Sequence, residues 1–82
     1  MENFYKKNEL GVLIEYTLVG RYEEDDNNYI IYTDFVEDIN SPTGLRLFVS
    51  LEKDGELINI DHNKENEILN KMFQSLMEKT EI

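Results

Sequence analysis

The chain has 82 residues, enough for one domain with one core. Its 18 Asp and Glu against 8 Lys and Arg leave a formal net charge of −10, and that shortage of cations excludes a surface built to grip nucleic-acid phosphates or an anionic membrane. Cysteine is absent, which excludes a disulfide scaffold, a thiolate metal site and a Cys nucleophile, while a hydrophobic fraction of 40% is sufficient for a folded core.

The opening Met1-Glu2-Asn3-Phe4-Tyr5-Lys6-Lys7 has no apolar signal-peptide region, and no stretch approaches a membrane span, so the expected location is the cytoplasm. Phe4-Tyr5, followed by a turn over Lys6 to Gly11, is open as a short additional strand. From Val12 to Tyr22 the chain alternates: Val12, Ile14, Tyr16 and Leu18 fall on one face, and Leu13, Glu15, Thr17 and Val19 on the other. Gly20 within the run points to a bulge or a close crossing. Glu23 to Asn28 has the composition of a six-residue turn, and Tyr29 to Val36 reads as the next strand. Glu37 to Gly44, with Asn40, Ser41 and Pro42, is a loop.

Leu45 to Glu52 alternates strictly and is followed by Asp54-Gly55, the signature of a type I′ hairpin, in which both central residues need φ > 0. That turn pairs Lys53 with Glu56, Leu51 with Ile58 and Val49 with Ile60. Leu45, Leu47, Val49, Leu51, Ile58 and Ile60 then share one apolar face. After Asp61 the period changes. Ile68, Leu69, Met72, Phe73, Leu76 and Met77 form one stripe of a helix over about 63–79. Asp61 or Asn63 caps it, Glu65 and Glu67 lie in its first turns, and Lys79 in its last, as the helix dipole favours.

The expected fold is α+β: one domain over 1–82, with an antiparallel β-meander of four strands, or five with Phe4-Tyr5, over about 12–61. One C-terminal helix packs on one face of it. The other face then carries Leu13, Val19, Ile30, Tyr32, Phe48 and Leu57 into water, and a patch of that kind marks a partner surface. A homodimer burying it against its twin is the preferred reading; sheet curvature or cover by the N-terminal segment is the alternative.

Gly11 ahead of Tyr16-Thr17-Leu18, the acidic turn into Asn27-Asn28-Tyr29, Glu52-Lys53-Asp54-Gly55-Glu56-Leu57 and the C-terminal helix occur in a recognisable order. In this order the chain resembles the YrzB-like family over roughly 9–75. These are small acidic cytoplasmic proteins of Gram-positive-type bacteria, classed as a domain of unknown function. The family has no established enzyme activity, so the resemblance carries over no catalytic residues. The chain departs from the family at Asp61-His62-Asn63-Lys64, where a plain acidic stretch is usual.

Charge is distributed unevenly. Residues 1–14 and 63–80 are each neutral, whereas 15–62 hold twelve acids against Arg21, Arg46 and Lys53. In a meander, the first and last turns lie at one end of the sheet, which gathers Glu23, Glu24, Asp25, Asp26, Asp54 and Glu56 into an acidic rim. Glu37 and Asp38 fall about 25 Å away at the other end. The rim serves solubility, steers a basic protein partner, or, through Asp25-Asp26-Asn27-Asn28, holds a divalent cation weakly. Catalytic patterns are missing: His62 is the only histidine, and its place at the junction of strand and helix suits capping better than base catalysis. No catalytic residue, cofactor site or metal site is assigned. The expected function is a non-catalytic protein-interaction or regulatory module, with a nucleic-acid-mimicking inhibitor as the alternative.

Overall fold

A computed structural model describes residues 2–80, with side chains through Ser75. Five strands, β1 (Asn3–Lys7), β2 (Leu13–Glu24), β3 (Asn27–Glu37), β4 (Leu45–Lys53) and β5 (Glu56–Asn59), precede one helix, α1 (His62–Thr80). The strands form one antiparallel sheet in chain order, an α+β meander. Phe4-Tyr5 thus belongs to a full fifth strand, in which Phe4 pairs with Tyr16 and Lys7 with Leu13.

The last hairpin has the expected register, with Lys53 opposite Glu56 and Leu51 opposite Ile58. Asp54 (φ 53°) and Gly55 (φ 79°) both lie in the left-handed region that a type I′ turn demands. The first long hairpin closes the same way, contrary to the six-residue turn expected from composition. Glu24 pairs with Asn27, and Asp25 (φ 52°) and Asp26 (φ 64°) alone make the turn. Aspartate tolerates φ > 0 better than most residues, so two adjacent aspartates substitute for Asn-Gly. Glu23, Glu24, Asn27 and Asn28 are therefore paired strand residues projecting beyond the core.

A bulge decides which side chains share a face. Leu18 pairs with Tyr32, but the next pair is Gly20 with Ile31, so Val19 is the extra residue. Before it, Ile14, Tyr16 and Leu18 join Ile30, Tyr32, Phe48 and Leu57. After it, Tyr22 lies with Tyr29, Ile31 and Val49 against the helix. The six residues expected on one exposed face are consequently split. Leu13 lies on the face opposite Tyr16, and Val19 is the bulged residue itself.

Nor is the second face open to water. Lys6 Nζ donates to Asn59 Oδ1 at 2.9 Å, although β1 and β5 are the outermost strands, which a flat sheet would hold about 19 Å apart. The sheet therefore curls into a half-barrel, concave on the face that bears Lys6 and Asn59. The curl buries Ile30 and Tyr32 to 4% and 3% exposure and leaves Phe48 and Leu57 half-buried. β1 contributes Phe4, whose ring centroid lies 5.2 Å from that of Tyr32 and 5.9 Å from that of Tyr16.

The outer face is covered by α1, with Ile68 fully buried and Met72 nearly so. Asp61 is the N-cap: its Oδ1 accepts the Lys64 backbone N–H at 2.8 Å, and its carbonyl accepts that of Glu65. The expected stripe residues Leu76 and Met77, and Lys79, lie outside the residues whose side chains are described. No described helix is long and apolar enough to cross a membrane.

Candidate functional site

β2 and β4 run in the same direction, so their turns lie at one end of the sheet, as the rim reading requires. Glu23, Asp25, Asp26, Asp54 and Glu56 are all exposed there. Glu24 is different. Its carboxylate accepts from Lys71 Nζ at 2.6 Å and Lys64 Nζ at 3.3 Å. The Lys71 hydrogen bond is the largest influence on it and, with Lys64, holds its pKa below the ordinary value against the opposing effect of burial. Lys64 also bonds Glu67 at 2.7 Å and stands 5.8 Å from the Tyr29 ring. Glu24 thus ties the acidic hairpin to the helix and is not free to meet a partner. Among the described residues, no group of three or more His, Asp or Glu is arranged to hold a metal ion.

The opposite end of the sheet exposes several apolar side chains among the acids Glu9, Glu37 and Asp38. Leu10 (87% exposed) lies in the β1–β2 loop and Ile39 (96%) in the β3–β4 loop, beside Val12, Leu13, Phe35 and Val36, all exposed. Phe35 adopts φ 64°, rare for a bulky side chain. The conformation belongs to an irregularity in β3, where pairing with β4 shifts between Thr33 and Glu37. It is held by the Phe35 N–H on Thr33 Oγ1 at 3.0 Å and the Val36 N–H on Asp34 Oδ1 at 3.1 Å. Of these six residues only Leu13 was singled out from sequence. The available signal was an apolar residue inside each stretch of turn composition, Leu10 and Ile39.

The concave face opens at this same end. β5 stops at Asn59, so β4 from Leu45 to Phe48 has no outer neighbour strand. A cleft of about 610 Å³ lies there, walled by Tyr16, Tyr32 and Phe48 and rimmed by Lys6, Arg46 and His62. Tyr16 meets Tyr32 edge-on at 5.0 Å and Phe48 edge-on at 5.5 Å. Arg46 is ion-paired with Asp34 and stands 5.2 Å over the Phe48 ring. Burial works to raise the Asp34 pKa, but the hydrogen bonds from Arg46 and from the Val36 N–H outweigh it and the carboxylate stays ionised. Burial pushes both phenols up, Tyr16 with help from Asp34, and Tyr32 against a 2.7 Å bond between its hydroxyl and Ser50 Oγ. Both are therefore neutral hydrogen-bonding groups at pH 7.

His62 opens the helix with its ring exposed, Nδ1 lying 3.5 Å from Glu65 Oε1. Glu65 Oε2 accepts the Val49 N–H at 2.9 Å, a position on the β4 edge just past the end of β5. The structure thus assembles the acidic rim with Glu24 withdrawn from it, and encloses most of the expected interface face. No family model, curated protein or solved structure matches the chain.

Proposed function

We propose that the protein is a non-catalytic docking module that engages a protein partner through the apolar end of its sheet. The observation that carries this reading is the gathering of Leu10, Val12, Leu13, Phe35, Val36 and Ile39, all exposed, at one end. Clusters of exposed apolar side chains mark interaction surfaces more often than chance allows. The partner is an apolar patch with basic surroundings, since a chain of net charge −10 attracts a basic surface over long range. Resemblance to small acidic proteins without established enzyme activity accords with this. A phosphate mimic is less favoured, because Glu24, Asp34 and Glu52 are spent on Lys and Arg within the chain.

The test is affinity capture from a native cell lysate with three baits: wild type, Leu10→Ser/Phe35→Ser/Ile39→Ser, and Glu23→Gln/Asp25→Asn/Asp26→Asn. The expected result is a protein that the apolar variant loses and the rim variant retains with weaker, more salt-sensitive binding. Identical catches from wild type and the apolar variant would overturn the reading. A wild-type mass of two chains by light scattering, halved in the apolar variant, would replace the foreign partner by a second copy.

A further inference from the structure

The edge of β4 carries backbone groups that the fold leaves unpaired. Thr33 Oγ1 donates to the Arg46 carbonyl at 2.8 Å, so that carbonyl faces β3 and the Leu47 N–H, across the same peptide, faces away from it. The Val49 N–H also faces outward. With β5 ended at Asn59, it is taken by Glu65 Oε2 at 2.9 Å. The Leu47 N–H and C=O thus point to where β5 would continue, and no group among the described residues bonds either. The outward groups of Leu45 meet only the Thr43 hydroxyl, at 3.4 Å. Leu45, Leu47 and Phe48 are half-buried, and main-chain groups in such a row match the main chain of another strand.

There is space for that strand on both sides of the edge. On the concave side lies the cleft of about 610 Å³, walled there by Phe48. On the helix side a second cleft, of about 490 Å³, lies between the β3–β4 loop and α1. Leu47 and Glu65 border both, so the β4 edge is the partition between them. A strand laid along Leu45–Phe48, about 4.8 Å from β4, sends alternate side chains into the two clefts. Leu47 packs on the helix side, and directly opposed residues share a face. The residue opposite Leu47 therefore enters the helix-side cleft. Leu69 and Phe73 supply apolar area there and Asp38 and Glu65 negative charge, with no Lys or Arg among the described residues lining it. A Lys or Arg meets both demands, its stem on the apolar wall and its head by the acids. The residues on either side of it face Phe48 and are apolar.

We infer that the β4 edge accepts an extended segment of a partner protein, antiparallel to β4 as β5 is, with a Lys or Arg opposite Leu47 and an apolar residue on each side of it. Main-chain bonds to Leu47 and Leu45 supply affinity, and the two clefts select the side chains. The inference rests on the docking reading for its partner being a protein, but it uses residues that the lysate baits leave unaltered.

The probe is acetyl-Thr-Val-Lys-Val-Thr-amide, titrated into the isotope-labelled protein and followed by amide NMR and amide exchange. Beside it run the same peptide N-methylated at its Lys, which cannot donate to the Leu47 carbonyl, and the peptide with Glu in place of Lys. In the free protein the Leu47 N–H should exchange faster than that of Phe48, which faces β3. The expected result is saturable 1:1 binding, with the largest shifts at Leu45 and Leu47 and slowed exchange of the Leu47 N–H. N-methylation should abolish binding, and Glu should weaken it about tenfold. Asp38→Asn should weaken the Lys peptide about threefold and leave the Glu peptide no weaker. Leu10→Ser/Phe35→Ser/Ile39→Ser should bind the Lys peptide as wild type does, so the edge and the apolar end fail separately. No saturation by about 10 mM overturns the site. Equal binding of the N-methylated peptide overturns strand pairing, and shifts confined to Leu10, Phe35 and Ile39 show adhesion to the apolar end and overturn the edge. A Leu47 N–H already protected in the free protein overturns it as well; with a mass of two chains, the occupant is then a second copy.

Discussion

The two faces of this sheet are both apolar, and each is covered by different means. The outer face is capped by a helix, so Ile31, Val49, Ile68 and Met72 pack as an aliphatic layer between two elements. The concave face has no second element. Its rings, Phe4, Tyr16, Tyr32 and Phe48, cover one another because the sheet curls until Lys6 reaches Asn59. Rings suit this second solution, since edge-to-face contact at 5–6 Å fills space across neighbouring strands without interdigitation from above. The helix closes the outer face over β3 and β4 while Leu13 on β2 stays exposed, whereas the curled face remains open where β5 ends, and the cleft lies there.

Substitutions should separate the two modes of burial. Ile68→Ala removes a fully buried side chain at the centre of the helix contact and should cost about 3 kcal/mol, read as a shifted urea midpoint. Phe4→Ala acts on an edge strand and a half-buried ring, so the expected loss is smaller, about 2 kcal/mol. It should also loosen the curl, seen as faster amide exchange along β1 and β2 while α1 stays protected. The double variant should lose the sum within about 0.5 kcal/mol if the faces are independent. Strong coupling would show that the curl depends on the helix. Asp61→Ala removes the helix cap and should cost about 1 kcal/mol, with exchange rising first at the helix start and not at β1.

These elements differed in how legible they were from sequence. The β4–β5 hairpin and the helix were readable because pattern and punctuation agreed: Asp54-Gly55 between alternating runs, and an Asp61 cap before a four-residue stripe. The β2–β3 hairpin was misread because Asp25-Asp26 does the work of Asn-Gly while its neighbours carry charge normally found in loops. Its strand length was hidden by composition. The bulge at Val19 left no mark beyond Gly20, yet it reverses the face of every residue before it. That reversal joins Ile14, Tyr16 and Leu18 to Tyr32 and Phe48 and creates the aromatic wall of the cleft. The curl stood in the sequence only as the alternative to a homodimer, since it depends on β1 and β5 meeting across 53 positions of sequence. For the same reason the loss of Glu24 to Lys64 and Lys71 on a remote helix was invisible.

Glu24 supplies the smallest expected effect and the sharpest sign. Its pKa is lowered in the folded state, so the pull of Lys71 and Lys64 exceeds the opposing effect of burial. A carboxylate with a depressed folded pKa binds fewer protons folded than unfolded over the acid range. Its stabilisation is present above the unfolded value, near 4.3, and disappears as pH falls through the folded one. Lys71 and Lys64 have raised values, so their share is present at neutral pH and is lost only in alkali, as pH rises through the folded pKa. Glu24→Gln should therefore be less stable than wild type by a constant amount between about pH 6 and 9, with the gap closing below about pH 4. Urea midpoints of the two proteins across that range check it, because most other titrations cancel in the difference. A gap that persists unchanged at low pH would show that Glu24 acts through packing and not through charge. Since Glu24 is, among the described residues, the one rim acid bonded to the helix, Asp25→Asn should show no comparable closing of the gap, which distinguishes the tie from the rest of the acidic end.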